Sequence, residues 1–167
     1  LSHQKQKIKN KQPIKSDFFS STDMYYKGSW MLHTLRTICK NDSLWDSIIK
    51  GLQLDFRNKI VNTNDIIEYI EGHFGYDLSS FFKQYLFESD LPILEYYFSK
   101  KRKKYYLNYR WNAVCDFDMP ILAKVNSVNY EWIFPNKNWQ KIDVINQIPS
   151  SFCVAENLFL VDVKKIK

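Results

Sequence analysis

The sequence has little of what most small catalytic and ligand-binding motifs require. Its 167 residues include only four glycines and three histidines. No HExxH pair, GxSxG turn or glycine-rich phosphate loop occurs, and no two histidines stand four residues apart as zinc ligands on a helix do. The residues by themselves therefore predict no metal site in this chain and no complete hydrolase or nucleotide-binding site.

Long apolar runs are also missing. None approaches the roughly 18 residues that cross a bilayer, so we expect no transmembrane segment. The first residues are rich in lysine and lack the apolar stretch of a signal peptide, so we expect none here. The chain begins without methionine, which we interpret as a hint that it was cut from a longer protein, with a disordered or processed start as the alternative.

Cysteine is scarce and irregularly spaced. Cys39, Cys115 and Cys153 are odd in number and far apart, and no CxxC spacing typical of a metal site is present. We predict buried free thiols, with a disulfide as the main alternative. Cysteine usage therefore leaves the compartment open.

What the sequence has in excess is positive charge, and this charge is concentrated. The formal net charge is +6, and 13 of the 24 basic residues lie in residues 5–15, 100–104 and 164–167. A nucleic-acid-binding surface usually combines basic and aromatic residues on one folded face. We interpret the three segments as solvated ends and a hairpin tip, and we expect no nucleic-acid partner. A basic adaptor for an anionic partner is the alternative.

The first half of the chain has the apolar spacing of helices. Residues 1–23 are polar and predict an extended lead-in, and residues 24–90 then show four segments with apolar side chains three to four residues apart. Asn62 and Asp65 have capping-box spacing before the third segment, and Pro92 prevents the fourth from continuing. Short connections predict antiparallel neighbours. The apolar stripe predicted for the first helix consists of Met24, Gly28, Met31, Leu32, Leu35 and Ile38.

After Pro92 the apolar period changes to two. Six or seven short runs rich in Tyr, Phe, Val and Ile follow, separated by turn residues, and they predict strands. The run KKRKK at 100–104 lies between the first two and predicts an exposed hairpin. The predicted fold class is α+β in two units: a four-helix antiparallel bundle over residues 24–90, followed by a small antiparallel β-sandwich over residues 91–167.

The run Tyr25-Tyr26-Lys27-Gly28 needs a further explanation, because a bundle helix requires only an apolar stripe. With Met31-Leu32 and Leu35-Arg36, it resembles the Tyr-x-Lys-Gly…Leu-x-x-Leu-Arg segment of the aminopeptidase N-type zinc metallopeptidases, the gluzincins. Four such pieces occur in the right order at compatible spacings, which makes the resemblance fairly specific.

The other three pieces lie further along the chain. Residues 62–66 resemble the family's Thr-Thr-x-Asp-Phe helix start, residues 77–86 resemble its Asp-Leu-x-x-Phe-Phe-x-Gln-Trp-Leu segment, and Pro92 resembles the proline that leads into its β-domain. The similarity covers about residues 9 to 98. Tyr85 stands where the family usually has Trp, and residues 88–90 replace a glycine-containing turn.

The family's zinc-binding HExxH, its glutamate ligand and its Gly-x-Met-Glu-Asn motif lie upstream of this segment and are absent here. The resemblance therefore implies the C-terminal part of such a metallopeptidase. It implies zinc and a peptide substrate in the full-length protein, no metal on this fragment, and the missing N-terminal catalytic half as a partner. It also favours a secreted or cell-envelope bacterial protein. A relative that has lost catalysis and serves as a binding module is the alternative.

The resemblance also assigns roles to two residues. In this family a tyrosine hydroxyl donates a hydrogen bond to the oxyanion of the tetrahedral intermediate, and by motif this tyrosine is Tyr25. Tyr26 lies about 100° further around the helix and is expected to be packed. Gly28 is the candidate substrate-binding position, because a residue without a side chain lets a substrate backbone or another segment come close. The fragment by itself is expected to be inactive.

Overall fold

The structure is a computed structural model that describes residues 5, 7–8, 12–16, 22–102, 104–113, 116–125, 129–144 and 152–167. From Asp23 on, the described residues form four helices followed by two small sheets, which confirms the predicted α+β class in two units. The helices are α1 (Asp23–Cys39), α2 (Asp42–Asp55), α3 (Thr63–Phe74) and α4 (Ser79–Phe87). The strands are β1 (Ile93–Lys101), β2 (Lys104–Asn112), β3 (Ile121–Lys124), β4 (Glu131–Ile133), β5 (Gln140–Val144), β6 (Cys153–Val154) and β7 (Asp162–Lys165).

Local capping fixes where α3 begins and ends. The Asn62 side chain accepts hydrogen bonds from the Asn64 and Asp65 amides, and the Asp65 carboxylate accepts one from the Asn62 amide at 2.7 Å. This is the predicted capping box. α3 ends at Gly75, whose φ of 73° lies in the left-handed region that glycine adopts without steric cost.

The buried side of α1 differs from the predicted stripe. Leu32 is 41% exposed, and Met24 and Gly28 are only half-buried. The polar residues Lys27 and Thr34 are buried instead, because the side chain of each forms a hydrogen bond with a backbone group in the interior. The buried residues of α1 are Asp23, Lys27, Trp30, Met31, Thr34, Leu35 and Ile38.

The described strands form two sheets, and one pair of these strands is parallel. The first sheet has the order β5-β2-β1-β7, and β1 and β2 form an antiparallel hairpin in which Leu94 lies opposite Trp111. β7 pairs with β1 in parallel, and the other strand pairs are antiparallel. The second sheet has the order β4-β3-β6. Arg102 lies at the end of the hairpin with a φ of 58°. The described residues of the basic run, 100–102 and 104, are exposed there, as the sequence predicted, and Lys103 lies outside the described residues.

Helices and sheets share one hydrophobic core. Trp30, Leu35 and Phe81 from the helices belong to the same buried cluster as Leu94 and Trp111 from the first sheet. Hydrogen bonds add to this contact. The Tyr85 hydroxyl donates to the Leu160 carbonyl at 2.8 Å, and the Leu160 amide donates to the Thr34 hydroxyl at 2.9 Å. The segment before β7 is therefore held by side chains of α1 and α4.

The cysteine prediction is partly wrong. Cys39 and Cys153 are free, but Cys39 is half-buried and Cys153 is exposed. Cys153 faces outward because it lies on the two-residue strand β6 at the edge of the second sheet. Cys115 lies outside the described residues. None of the helices in the described part of the chain is long and apolar enough to span a membrane.

Candidate functional site

The first turns of α1 place neighbouring residues in opposite environments. Tyr25 is 64% exposed, whereas Lys27, two residues later, is 0% exposed. Each residue advances about 100° around a helix, so these two side chains lie about 200° apart. The motif therefore presents a phenol to the outside and an ammonium to the inside of the same helical turn.

The Lys27 ammonium is held by backbone carbonyls from two distant segments. Its Nζ donates to the Gln12 carbonyl at 3.4 Å, and to the Glu88 and Ser89 carbonyls at 3.3 and 2.5 Å. A buried charge is tolerated only when such partners replace water. Lys27 therefore joins α1 to the lead-in and to the turn between α4 and β1.

The electrostatics of Lys27 reflect this burial. Loss of water lowers the pKa of the Lys27 ammonium, while the negative charges of Asp23 and Asp90 act in the opposite direction. Asp23 is itself completely buried, one helical turn before Lys27. At the start of α1 the buried positive charge of Lys27 is therefore partly compensated by the negative charge of Asp23, while Tyr25 between them is exposed.

The second tyrosine has a different environment from the first. Tyr26 is half-buried, and the Lys7 ammonium lies 5.3 Å from the centroid of its ring. An ammonium at this distance from an aromatic ring is weakly attracted to the face of the ring. Tyr26 thus contacts the lead-in, in agreement with the expectation that it is packed.

Gly28 lies one turn after Tyr25 on the same open side of α1. A methyl group placed on Gly28 would meet none of the described heavy atoms within 4 Å. Glycine inside a helix costs roughly 1 kcal/mol relative to alanine. Packing among the described residues therefore gives no reason for a glycine at this position.

An apolar groove continues this open side of α1 towards α3. Leu32, one turn beyond Gly28, is 41% exposed, and Val61 and Ile60 before α3 are 39% and 104% exposed. The groove has a volume of about 360 Å³. Its lining is formed by Met31, Leu32, Val61, Asn62, Thr63, Ile66, Ile67, Ile70, Phe82 and Leu86.

Metal-ligating side chains are not gathered at this site. No group of three or more His, Cys, Asp or Glu side chains that could hold a metal ion is found among the described residues. Among the described residues of this face, Tyr25 presents an exposed phenol one turn from Gly28, where the backbone can be approached closely.

Sequence reasoning missed the two lysines that attach the lead-in. Besides Lys27, Lys5 donates to the carbonyls of Glu156, Phe159 and Val161 at 3.1–3.3 Å. The burial of Lys27 could have been considered from the sequence, because this lysine stands between Tyr26 and Gly28 on a helix with an apolar face. The role of Lys5 had no such signal, because its partners lie more than 150 residues away along the chain.

Comparison with known proteins finds similarity in structure but not in sequence. No protein-family model matches the sequence, and no curated protein matches it significantly. The fold is similar to part of the crystal structure of Legionella pneumophila aminopeptidase A in complex with aspartic acid, with a TM-score of 0.66 and 15% sequence identity. The match covers 95% of this chain and 21% of the aminopeptidase.

The likeness extends over nearly the whole chain, so its fold is similar to that of a small part of this aminopeptidase structure. The chain spans about a fifth of the length of that protein. At this level of identity the similarity establishes the fold alone.

Proposed function

We propose that this chain is the C-terminal part of a zinc-dependent metallopeptidase of the aminopeptidase N type, which hydrolyses peptide bonds when the whole protein is present. In this proposal residues 24–90 complete the catalytic domain and residues 91–167 form a C-terminal β-domain. The isolated chain has no peptidase activity. The fold likeness to part of an aminopeptidase supports the proposal.

One observation carries it: Tyr25 is 64% exposed on the first turn of α1, while Lys27 and Asp23 on the opposite side are completely buried. A large aromatic residue at the start of a helix is more often packed than exposed. An outward phenol above a rigidly held helical turn is what a hydrogen-bond donor to a substrate requires.

The proposed role of Tyr25 is electrostatic. Attack of water on a peptide carbonyl develops a negative charge on the carbonyl oxygen, and a hydroxyl fixed near that oxygen stabilises the charge. The Lys27 contacts with Glu88 and Ser89 hold the first turn of α1, so the donor is oriented before the substrate arrives. Gly28 leaves room for the substrate backbone one turn away.

Zinc in this proposal is held by another part of the protein. The described residues offer no cluster of three metal-ligating side chains, so they do not fit a zinc site of three protein ligands. The partner that we propose is therefore the N-terminal catalytic half. The open side of α1 and its apolar groove, with Leu32 and Val61 exposed, form a surface of the kind that such a half would cover.

The test is a comparison of Tyr25→Phe with Tyr26→Phe in the full-length protein. We expect Tyr25→Phe to retain zinc and lower kcat by about 10²- to 10³-fold, the usual effect of removing one oxyanion donor. Tyr26→Phe, a matched control on the neighbouring residue, should stay within about 3-fold of the parent.

Two results would contradict the proposal in different ways. An unchanged kcat in Tyr25→Phe would remove the proposed role of the tyrosine. A full-length protein that neither binds zinc nor hydrolyses peptides would instead favour the non-catalytic binding module.

A further inference from the structure

A second cavity lies on another side of the molecule, where the end of α1 meets the segments that precede α4 and β3. Its volume is about 370 Å³, which lies within the range of small-molecule sites. Most of its wall is apolar. The apolar lining residues are Ile38, Tyr76, Leu78, Phe81, Met119, Pro120 and Phe134.

Two aromatic side chains at this cavity are incompletely covered. Tyr76 is 47% exposed and Phe134 is 60% exposed, while Leu78, Phe81 and Met119 behind them are buried. The cavity therefore combines buried apolar walls with exposed rings. Filling it would remove apolar surface from water, at about 25 cal/mol for each Å² covered.

The charged groups at this cavity are two carboxylates and one ammonium: Asp77, Asp118 and Lys40. The ammonium of Lys40 lies 4.0 Å from the centroid of the Trp132 ring and 5.7 Å from that of Phe134, so it already has aromatic partners. The carboxylates each use Oδ1: Asp77 accepts from the Ser79 amide at 2.7 Å, and Asp118 accepts from the Ser80 hydroxyl at 3.0 Å.

Asp77 and Asp118 are both exposed, so their carboxylates can still be reached by a ligand. Hydrogen bonds from Ser79 also lower the pKa of Asp77, so its carboxylate is ionised at neutral pH. The charge that this cavity presents to a ligand is therefore mainly negative.

We propose that this cavity binds a small organic cation: a primary amine that carries an aromatic or branched aliphatic group. The apolar group occupies the space between Leu78, Phe81 and Met119. The ammonium lies at the carboxylates of Asp77 and Asp118, and the exposed rings of Tyr76 and Phe134 add cation–π attraction. This site is independent of the proposed peptidase function and of Tyr25.

The cavity contains its own reporter for an experiment on the 167-residue chain. Cys39 is one of the residues that line the cavity. Cys153, also a free cysteine, is exposed on strand β6 and does not line it. Each cysteine is labelled with a thiol reagent, and the labelling rates are read separately by peptide mass spectrometry. The probe is 2-phenylethylamine, compared with neutral 2-phenylethanol and anionic 3-phenylpropionate, and calorimetry measures binding directly.

We expect 2-phenylethylamine to slow labelling of Cys39 saturably and to leave Cys153 unchanged. The alcohol should bind more weakly and the carboxylate most weakly. Asp77→Asn and Asp118→Asn keep an oxygen that can accept from the Ser79 amide and the Ser80 hydroxyl. Each should weaken amine binding by about 2- to 5-fold, the usual contribution of an exposed charge pair. Both should leave the alcohol unaffected.

Phe134→Ala should also weaken binding of the amine, whereas Ile60→Ala, at an exposed apolar residue that does not line the cavity, should not. Absence of amine binding by calorimetry would overturn the proposal. So would 3-phenylpropionate binding as tightly as the amine, because Lys40 would then be the anchor.

Discussion

At the scale of single residues, the contacts of Lys27 explain why Tyr25 points outward from α1. Its ammonium is completely buried and donates to three carbonyls from two segments. Backbone carbonyls do not move as freely as side chains, so these contacts fix the rotation of α1 about its axis. The exposed position of Tyr25 follows from that rotation.

We predict that Lys27→Met lowers the free energy of unfolding by about 2–3 kcal/mol. The substitution keeps the length of the side chain but leaves buried carbonyls without their charged donor. Lys50→Met on the exposed side of α2 is the control and should change stability by less than about 0.5 kcal/mol. Urea denaturation followed by circular dichroism measures both, and equal stability of the two variants would show that Lys27 is not a structural clamp.

The sequence allowed part of this residue-level account to be predicted. The role of Tyr25 could be proposed because the motif resembles that of a known family, and the packing of Tyr26 because its angle around the helix follows from spacing. The burial of Lys27 could not, because its partners Gln12, Glu88 and Ser89 come together only in the folded chain. For the same reason the predicted apolar stripe of α1 was partly wrong: Lys27 and Thr34 are buried, and Leu32 is not.

At the scale of elements, α1 and α3 each contain a glycine with open space around it. Gly28 and Gly72 both lie inside helices, and an added methyl group would meet none of the described heavy atoms within 4 Å at either position. Stability and the proposed function can therefore be separated by one matched pair of substitutions.

We predict that Gly28→Ala and Gly72→Ala each raise the free energy of unfolding by about 0.5–1 kcal/mol, because alanine restricts the unfolded chain and favours the helix. In the full-length protein only Gly28→Ala should lower kcat/KM for peptides, since only this methyl group would fill the space beside Tyr25. Chemical denaturation and steady-state kinetics measure the two effects. If both variants had the same kcat/KM as the parent, Gly28 would have no substrate-facing role.

The first sheet contains an ion pair between neighbouring strands. Arg110 on β2 donates to the Glu95 carboxylate from Nε at 3.0 Å and from Nη2 at 2.8 Å, and the Asn112 amide donates to the other oxygen at 3.0 Å. Burial alone raises the pKa of Glu95, but these hydrogen bonds and the charges of Arg110 and Lys164 outweigh it, so the net pKa is lowered.

We predict that Glu95→Gln costs about 1 kcal/mol at pH 7, because Arg110 is partly exposed and the pair is partly screened. A carboxylate whose pKa is lower in the folded state stabilises the fold above its unfolded pKa of about 4.5 and loses that contribution as pH falls through the folded pKa. The gap in melting temperature between parent and variant should therefore narrow below about pH 4. Glu131→Gln on β4 is the control, and a gap that stays constant down to pH 3 would contradict this account.

The positions of the helices and strands were more predictable than the pairing of the strands. The helix starts followed from cap residues such as Asn62 and Asp65, and the hairpin followed from two β-periodic runs around residues 100–104. The parallel pairing of β7 with β1 was not predictable, because it joins residues 162–165 with residues 93–96 and no local turn encodes it. The choice of partner depends on the shared core and on the side chains that hold Leu160.

At the scale of the whole molecule, the lead-in, helices and sheets hold one another. Lys5 reaches the segment before β7, Lys27 reaches the lead-in, and Tyr85 and Thr34 hold Leu160 from the helical side. The exposed side of α1 carries Tyr25, Gly28 and Leu32, and the apolar groove adjoins it. This surface is consistent with our proposal that a catalytic half docks there.

The most direct measurement uses a tetrahedral phosphinic peptide analogue, whose oxyanion mimics the intermediate, on the full-length protein. If Tyr25 donates to the oxyanion, Tyr25→Phe should weaken the analogue by about the same 10²- to 10³-fold as it lowers kcat/KM, with KM for the substrate little changed. Tyr26→Phe should leave both quantities near their parent values. Analogue affinity that is unchanged in Tyr25→Phe would contradict the central claim.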